Sequence, residues 1–164
     1  MTRYLTATEK DELIASWAKQ LADLPKDHPH GGKGDGSPDP VMDSWVQQIN
    51  VLRGMAVCQS CAGHKFSEDM LQSGCLWIRP SVEMARVFYA QAFELAVKPG
   101  MDRVRVLFGY WGEELIEIRF AGQEQGRLLQ SMDAILQFLR GVSDLLELPE
   151  VSYVQDVTTH STAG

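Results

Sequence analysis

Met55-Ala56-Val57-Cys58-Gln59-Ser60-Cys61-Ala62-Gly63-His64 starts as an apolar run and ends on small and polar residues. Met55 to Cys61 has the length and content of a short buried strand. Cys75-Leu76-Trp77-Ile78 is a second such run, placed to pair back against the first across a polar connection, Ala62 to Gly74. Pro80-Ser81 then opens a helix, with Ser81 as its cap and Ala85, Phe88, Ala92 and Leu95 at helical spacing. Pro99-Gly100 stops it. Residues 103–120 repeat the strand pair: Val104, Val106 and Phe108 alternate with arginines, a turn falls near Trp111-Gly112, and Ile116, Ile118 and Phe120 alternate on the return. A last helix over residues 123–147 carries Leu128, Met132, Ile135, Leu139, Val142 and Leu146 along one face.

Upstream, residues 6–24 read as an amphipathic helix capped by Thr6 or Thr8, with Leu13, Ile14, Trp17, Leu21 and Leu24 on one side. Residues 26–40 are rich in Gly, Pro and Asp and read as a loop. A second helix starts near Pro40 and places Val41, Trp45, Val46, Ile49 and Leu52 together, with Gly54 positioned to end it. The order α, α, β, β, α, β, β, α makes residues 1–148 a single α+β domain. Its sheet is expected to be mixed or antiparallel and covered by helices, and the two successive ββα units suggest an internal pseudo-repeat. Residues 149–164 read as a loose tail, with Val151 to Val157 able to add an edge strand.

The chain has 164 residues, 45% hydrophobic and 23% charged, which is globular composition. No stretch approaches the apolar length of a membrane helix. Met1 to Leu5 leads straight into charged residues, so no secretory signal is read and a cytoplasmic protein is expected. With 15 Lys+Arg against 22 Asp+Glu, the net charge of −7 disfavours a broad nucleic-acid coat, tRNA included. Three cysteines imply no disulfide framework.

Two motifs fail on their surroundings. Gly32-Lys33-Gly34-Asp35-Gly36 follows Asp27-His28-Pro29-His30 instead of a buried strand, so it is no dinucleotide or adenosyl fingerprint. Asp35, Ser37 and Asp39 begin like a calcium loop. That loop needs Gly at its sixth position and Glu at its twelfth, where Pro40 and Val46 stand.

The segment Cys58 to His64 holds the most chemistry. Cys58, Cys61 and His64 could ligate zinc, with His28, His30 or Cys75 as a fourth. Against this, a regular strand sends residues three apart to opposite faces. Alternatively, Cys61 at the strand end could be a nucleophile whose pKa is depressed by His64. Glu113, Glu114 and Glu117 read as a solvated edge that discourages strand addition. Trp17, Trp45 and Trp77 fit core positions, and Trp111 an exposed one.

Ser37-x-Asp39, a helix ending Ile49-Asn50-x-Leu52, and a strand ending Gln59-Ser60-Cys61-Ala62-Gly63-His64 resemble the N-terminal part of the wybutosine-synthesis methyltransferase family. Those enzymes act on the modified guanosine beside the anticodon of phenylalanine tRNA. In that alignment the family's lysine falls on Asp35, the serine after its cysteine on Ala62, and the arginine after its glycine on His64. Its histidine after the second strand falls on Arg79 or Pro80. The resemblance implies an α+β domain binding S-adenosylmethionine, or a nucleoside-like ligand, at the end of the first strand. Ser60, Cys61, Gly63 and His64 would line that pocket, with His64 as the base. Lys65 and Arg79 would meet an anionic group, and Ser37 and Asp39 would add ligand contacts. A non-catalytic binding or adaptor module of the same fold, able to form a homodimer, is the alternative expectation.

Overall fold

The computed structural model describes residues 3–24, 39–67, 70–71, 73–110 and 112–147. Helix α1 spans Ala7–Ala22 and starts on a reciprocal cap. The Thr6 hydroxyl accepts from the Glu9 N–H at 3.3 Å, and the Glu9 carboxylate accepts from the Thr6 N–H at 3.0 Å. Two of the orphan donors of the first turn are thereby satisfied. A 3-10 turn, Pro40–Met42, runs into α2, Asp43–Asn50. Gly54, at φ +71°, then reverses the chain into β1, Met55–Cys61.

The connection after β1 forms a small antiparallel ribbon, β2 Lys65–Ser67 and β3 Met70–Leu71. Strand β4, Gly74–Pro80, returns along β1. Helix α3, Val82–Ala96, begins where Ser81 caps the Met84 N–H at 3.2 Å. Strands β5, Met101–Tyr110, and β6, Glu113–Phe120, form the second hairpin. A 3-10 turn at Gln123–Gln125 leads into α4, Leu128–Glu147.

The main sheet is antiparallel throughout, in the order β1-β4-β6-β5. Each ββα unit therefore places its second strand at the centre and its first at an edge. The domain is α+β, as its element order predicts.

Register sorts the side chains between two faces, because successive strand residues point opposite ways. One row aligns Val57, Ile78, Ile116 and Val106, and another Ser60, Leu76, Ile118 and Val104. These rows meet Trp17, Val46, Ile49, Met84, Phe88, Leu95, Met132, Ile135 and Leu139 from the four helices, forming the core. The intervening rows are Cys61-Cys75-Arg119-Arg103 and Gln59-Trp77-Glu117-Arg105, on the other face.

Strand order corrects the reading of the glutamates. Strand β6 is central, and Glu114 and Glu117 are buried instead of forming a solvated edge. Glu117 takes hydrogen bonds from Arg105 and, at 3.0 Å, from Arg119. Burial pushes its carboxyl up, but the bonds and charges of the two arginines outweigh this and hold it below the usual range. Among the described residues, no helix is long and apolar enough to cross a membrane.

Candidate metal centre

Asp39 ties the start of the 3-10 turn to the end of β1. One carboxylate oxygen accepts from the Val41 N–H at 3.1 Å, capping the turn. The other accepts from the Ala62 N–H at 2.9 Å and lies 3.1 Å from His64 Nε2. At 2% exposure this carboxylate is removed from water, and such a group persists only when donors surround it.

The chain beyond β1 is shaped to complete the arrangement. Gly63 takes φ +88°, the left-handed region that a side chain disfavours, and this turn carries His64 back towards Asp39. The Ala62 carbonyl accepts from the Gln123 N–H at 2.7 Å, so the start of the second 3-10 turn clamps the same segment. Gly122 makes that approach sterically available: a Cβ there would overlap the Ala62 carbonyl oxygen.

Cys61 points from the end of β1 into this corner. Its sulfur accepts from the Gly63 N–H at 3.4 Å. Burial pushes the thiol pKa up; the Gly63 N–H opposes this, the Asp39 charge adds to it, and Arg119 opposes it. A thiol held this way is not the depressed thiolate of an activated nucleophile. The ligand atoms of Asp39, Cys61 and His64 all lie within 4.8 Å of one another. Around a tetrahedral zinc with bonds of 2.0–2.3 Å, ligand atoms stand about 3.3–3.8 Å apart, so side-chain rotation closes the trio.

The other expected residues separate. Ser60 neighbours Cys61 in sequence but sits in the core-facing row opposite Leu76, with its buried hydroxyl unpartnered among the described residues. Cys58 is outside the trio: its thiol donates to the Trp77 carbonyl at 3.3 Å. Burial first, then the Glu113 charge, push its pKa up to about 12. Arg79 pairs with Ala56 at the other end of β1, about 15 Å of strand away from Cys61. It lies 3.4 Å from Glu9 and 3.3 Å from Glu113, so it does not converge with His64. The Lys65 backbone opens the small ribbon, while its side chain, with Ser37, His28, His30, Trp111 and most of the 26–40 loop and 149–164 tail, lies outside the described residues.

Asp39, expected as a ligand contact, and Cys75, one of three candidate fourth zinc ligands, take positions that local spacing does not specify. Asp39 joins Cys61 and His64 across more than twenty residues, its only local sign being a turn-capping position before Pro40. Cys75 is the direct cross-strand partner of Cys61 on the same face. Such pairs hold Cβ atoms about 4.5–5.5 Å apart, while the three ligand atoms within 4.8 Å of one another are those of Asp39, Cys61 and His64. The chain matches no known protein-family profile, no curated protein and no solved structure.

Proposed function

We propose that this protein is a zinc-binding α+β module, with the ion held by Asp39, Cys61 and His64 and with Cys75, across the strand from Cys61, as the candidate fourth ligand. The observation that carries this reading is the convergence of a carboxylate, a thiol and an imidazole within 4.8 Å, with Asp39 buried and Cys61 and His64 half-buried. Carboxylate, sulfur and nitrogen donors in that number suit zinc, which has no strong geometric demand of its own. Metal binding would deprotonate Cys61, and the ion would join the 3-10 turn, the end of β1 and β4. Such a clip stabilises the edge strand of the sheet and points to a binding or adaptor role in place of nucleophilic catalysis.

The test is cobalt and zinc titration of the purified protein after chelator treatment. A tight one-to-one complex with a thiolate-to-cobalt charge-transfer band supports the site. Cys61→Ser and His64→Ala should each weaken cobalt binding, and Cys61→Ser together with Cys75→Ser should abolish the band, while Cys58→Ser should leave it intact. A band that survives Cys61→Ser and is lost with Cys58→Ser sinks the assignment. The adenosyl-ligand reading carried by the methyltransferase resemblance uses the same Ser60 to His64 segment. It is tested in parallel by thermal shift with S-adenosylmethionine and S-adenosylhomocysteine. Stabilisation by those ligands without metal would favour that reading and justify assaying tRNA.

A further inference from the structure

Helix α3 is apolar on two sides. Met84, Phe88 and Leu95 are buried in the core, and the Phe88 ring meets Phe138 of α4 edge to face at 5.6 Å. Tyr89, Phe93 and Val97 stand on the opposite side and are 70%, 77% and 61% exposed. Their four-residue spacing makes them one ridge along the helix. Phe108, on the edge strand β5, is 68% exposed and lines with Tyr89 a cleft of about 180 Å³ beside that ridge. Single exposed apolar residues need no explanation, but a continuous row of them marks an interaction surface. At about 150–250 Å² per ring, the exposed fractions of Tyr89, Phe93 and Phe108 come to roughly 300–550 Å². That is enough for the apolar centre of an interface of about 800 Å² per partner.

The charges beside the ridge indicate what covers it. Along the exposed side of α3 and its C-terminal end the order is Glu83, Arg86, Tyr89, Phe93, Glu94, Lys98. All four charged residues are exposed, and among the described residues none of them makes an ion pair. The field of Arg86 reaches Glu83 on the same helix, short of an ion pair. The string reads minus, plus, two aromatics, minus, plus. Reversed, it becomes plus, minus, two aromatics, plus, minus, which is its own complement.

Two copies of α3 laid antiparallel, with the twofold axis between Ala90 and Gln91, set Glu83 opposite Lys98, Arg86 opposite Glu94 and Tyr89 opposite Phe93. Each pair occurs twice. The three pairs share that midpoint to within about one residue, or about 1.5 Å of helix, which these side chains span. Parallel copies would instead place like charges side by side. We propose that the protein forms a homodimer through antiparallel α3 helices, the Tyr89-Phe93-Val97 ridges packed at its centre and the two kinds of ion pair flanking them. The same patch meets itself across the axis, as a twofold interface requires, and ridges of this spacing pack at a crossing angle of about −50°. The Asp39 corner takes no part, so the dimer and the zinc reading stand or fall separately.

The experiment is sedimentation equilibrium of the full chain, with chelator and reductant present so that neither a bridging metal nor a disulfide holds copies together. A mass of twice 18.3 kDa is expected, with dissociation only below about 10 μM. Phe93→Glu puts two charges at the centre and should weaken association about a hundredfold or more. Its circular dichroism should be unchanged, because the residue is exposed in the single chain. Arg86→Glu and Glu94→Arg should each weaken association about tenfold, since the symmetry applies every change twice. Combined in one chain they exchange the charges and should restore the wild-type affinity. A single-chain mass at about 100 μM overturns the proposal, whatever else then covers the ridge. So does unchanged association of Phe93→Glu, or a double variant that associates no more tightly than either single one.

Discussion

Asp39→Ala tests the corner at its most connected residue. The substitution removes the cap on the Val41 N–H, a loss of about 1 kcal/mol. It also strands the Ala62 N–H at a position where Ala62 is fully buried, which costs about 1–3 kcal/mol more. His64 loses its carboxylate neighbour as well. Together these give a destabilisation of about 3 kcal/mol, a large fraction of the 5–15 kcal/mol typical of a domain. For a chain of this size that lowers the melting temperature by about 6–12 °C. Thermal unfolding followed by circular dichroism, in chelator so that no metal contributes, reads it directly. Urea unfolding supplies the free energy and confirms that the transition stays two-state. His64→Ala should cost less, and the pair should be non-additive by more than about 0.5 kcal/mol. A shift below about 2 °C for Asp39→Ala would refute the reasoning, because one lost cap alone already exceeds that.

Other outcomes follow from the same packing. Gly122→Ala drives a Cβ into the Ala62 carbonyl oxygen and should cost about 1–3 kcal/mol, visible as a lower urea midpoint. Gly74→Ala meets the Phe120 ring and should fall in the same range, whereas Gly141→Ala, which meets nothing, should be neutral or stabilising. In native protein, iodoacetamide should leave Cys58 unmodified, since its thiol is buried with a pKa of about 12; alkylation as fast as in the urea-unfolded chain, read by mass spectrometry, contradicts its placement. Glu117 has its carboxyl held below the ordinary value by Arg105 and Arg119, so its contribution is present above about pH 4.3, the ordinary value, and is lost as pH falls through the lower folded value. The stability deficit of Glu117→Gln should therefore be greatest near neutral pH and shrink on acidification, and a deficit that grows in acid would show that the arginines do not hold this charge.

The elements themselves were legible because each is written locally. Thr6 and Glu9 form the cap their spacing predicts, Ser81 caps α3, and the alternation of Val104, Val106, Ile116 and Ile118 yields the two strands of the second hairpin. The helix expected from Pro40 is divided into a 3-10 turn and α2, since Asp39 satisfies the first donors before the α-helical bonds begin. The polar connection 62–74 contains a small ribbon whose strands are too short to show a period. Glu113, Glu114 and Glu117 look like an edge in sequence. Only strand order places β6 at the centre of the sheet, and only register brings Arg105 and Arg119 alongside Glu117.

The sequence by itself determined the α+β order, the strand that ends at Cys61 and the chemical interest of Cys61-Ala62-Gly63-His64, because hydrophobic period and capping depend on neighbours a few residues apart. Which partners meet His64 was a tertiary decision. Cys58 and Arg79 are closer to the expected site in local pattern, yet strand direction and register carry them away from it. Asp39 arrives instead, through the 3-10 turn packed on the end of β1, and antiparallel pairing sets Cys75 opposite Cys61. Long-range pairing sets distances between side chains that no spacing along the chain encodes, and a binding site is a statement about those distances.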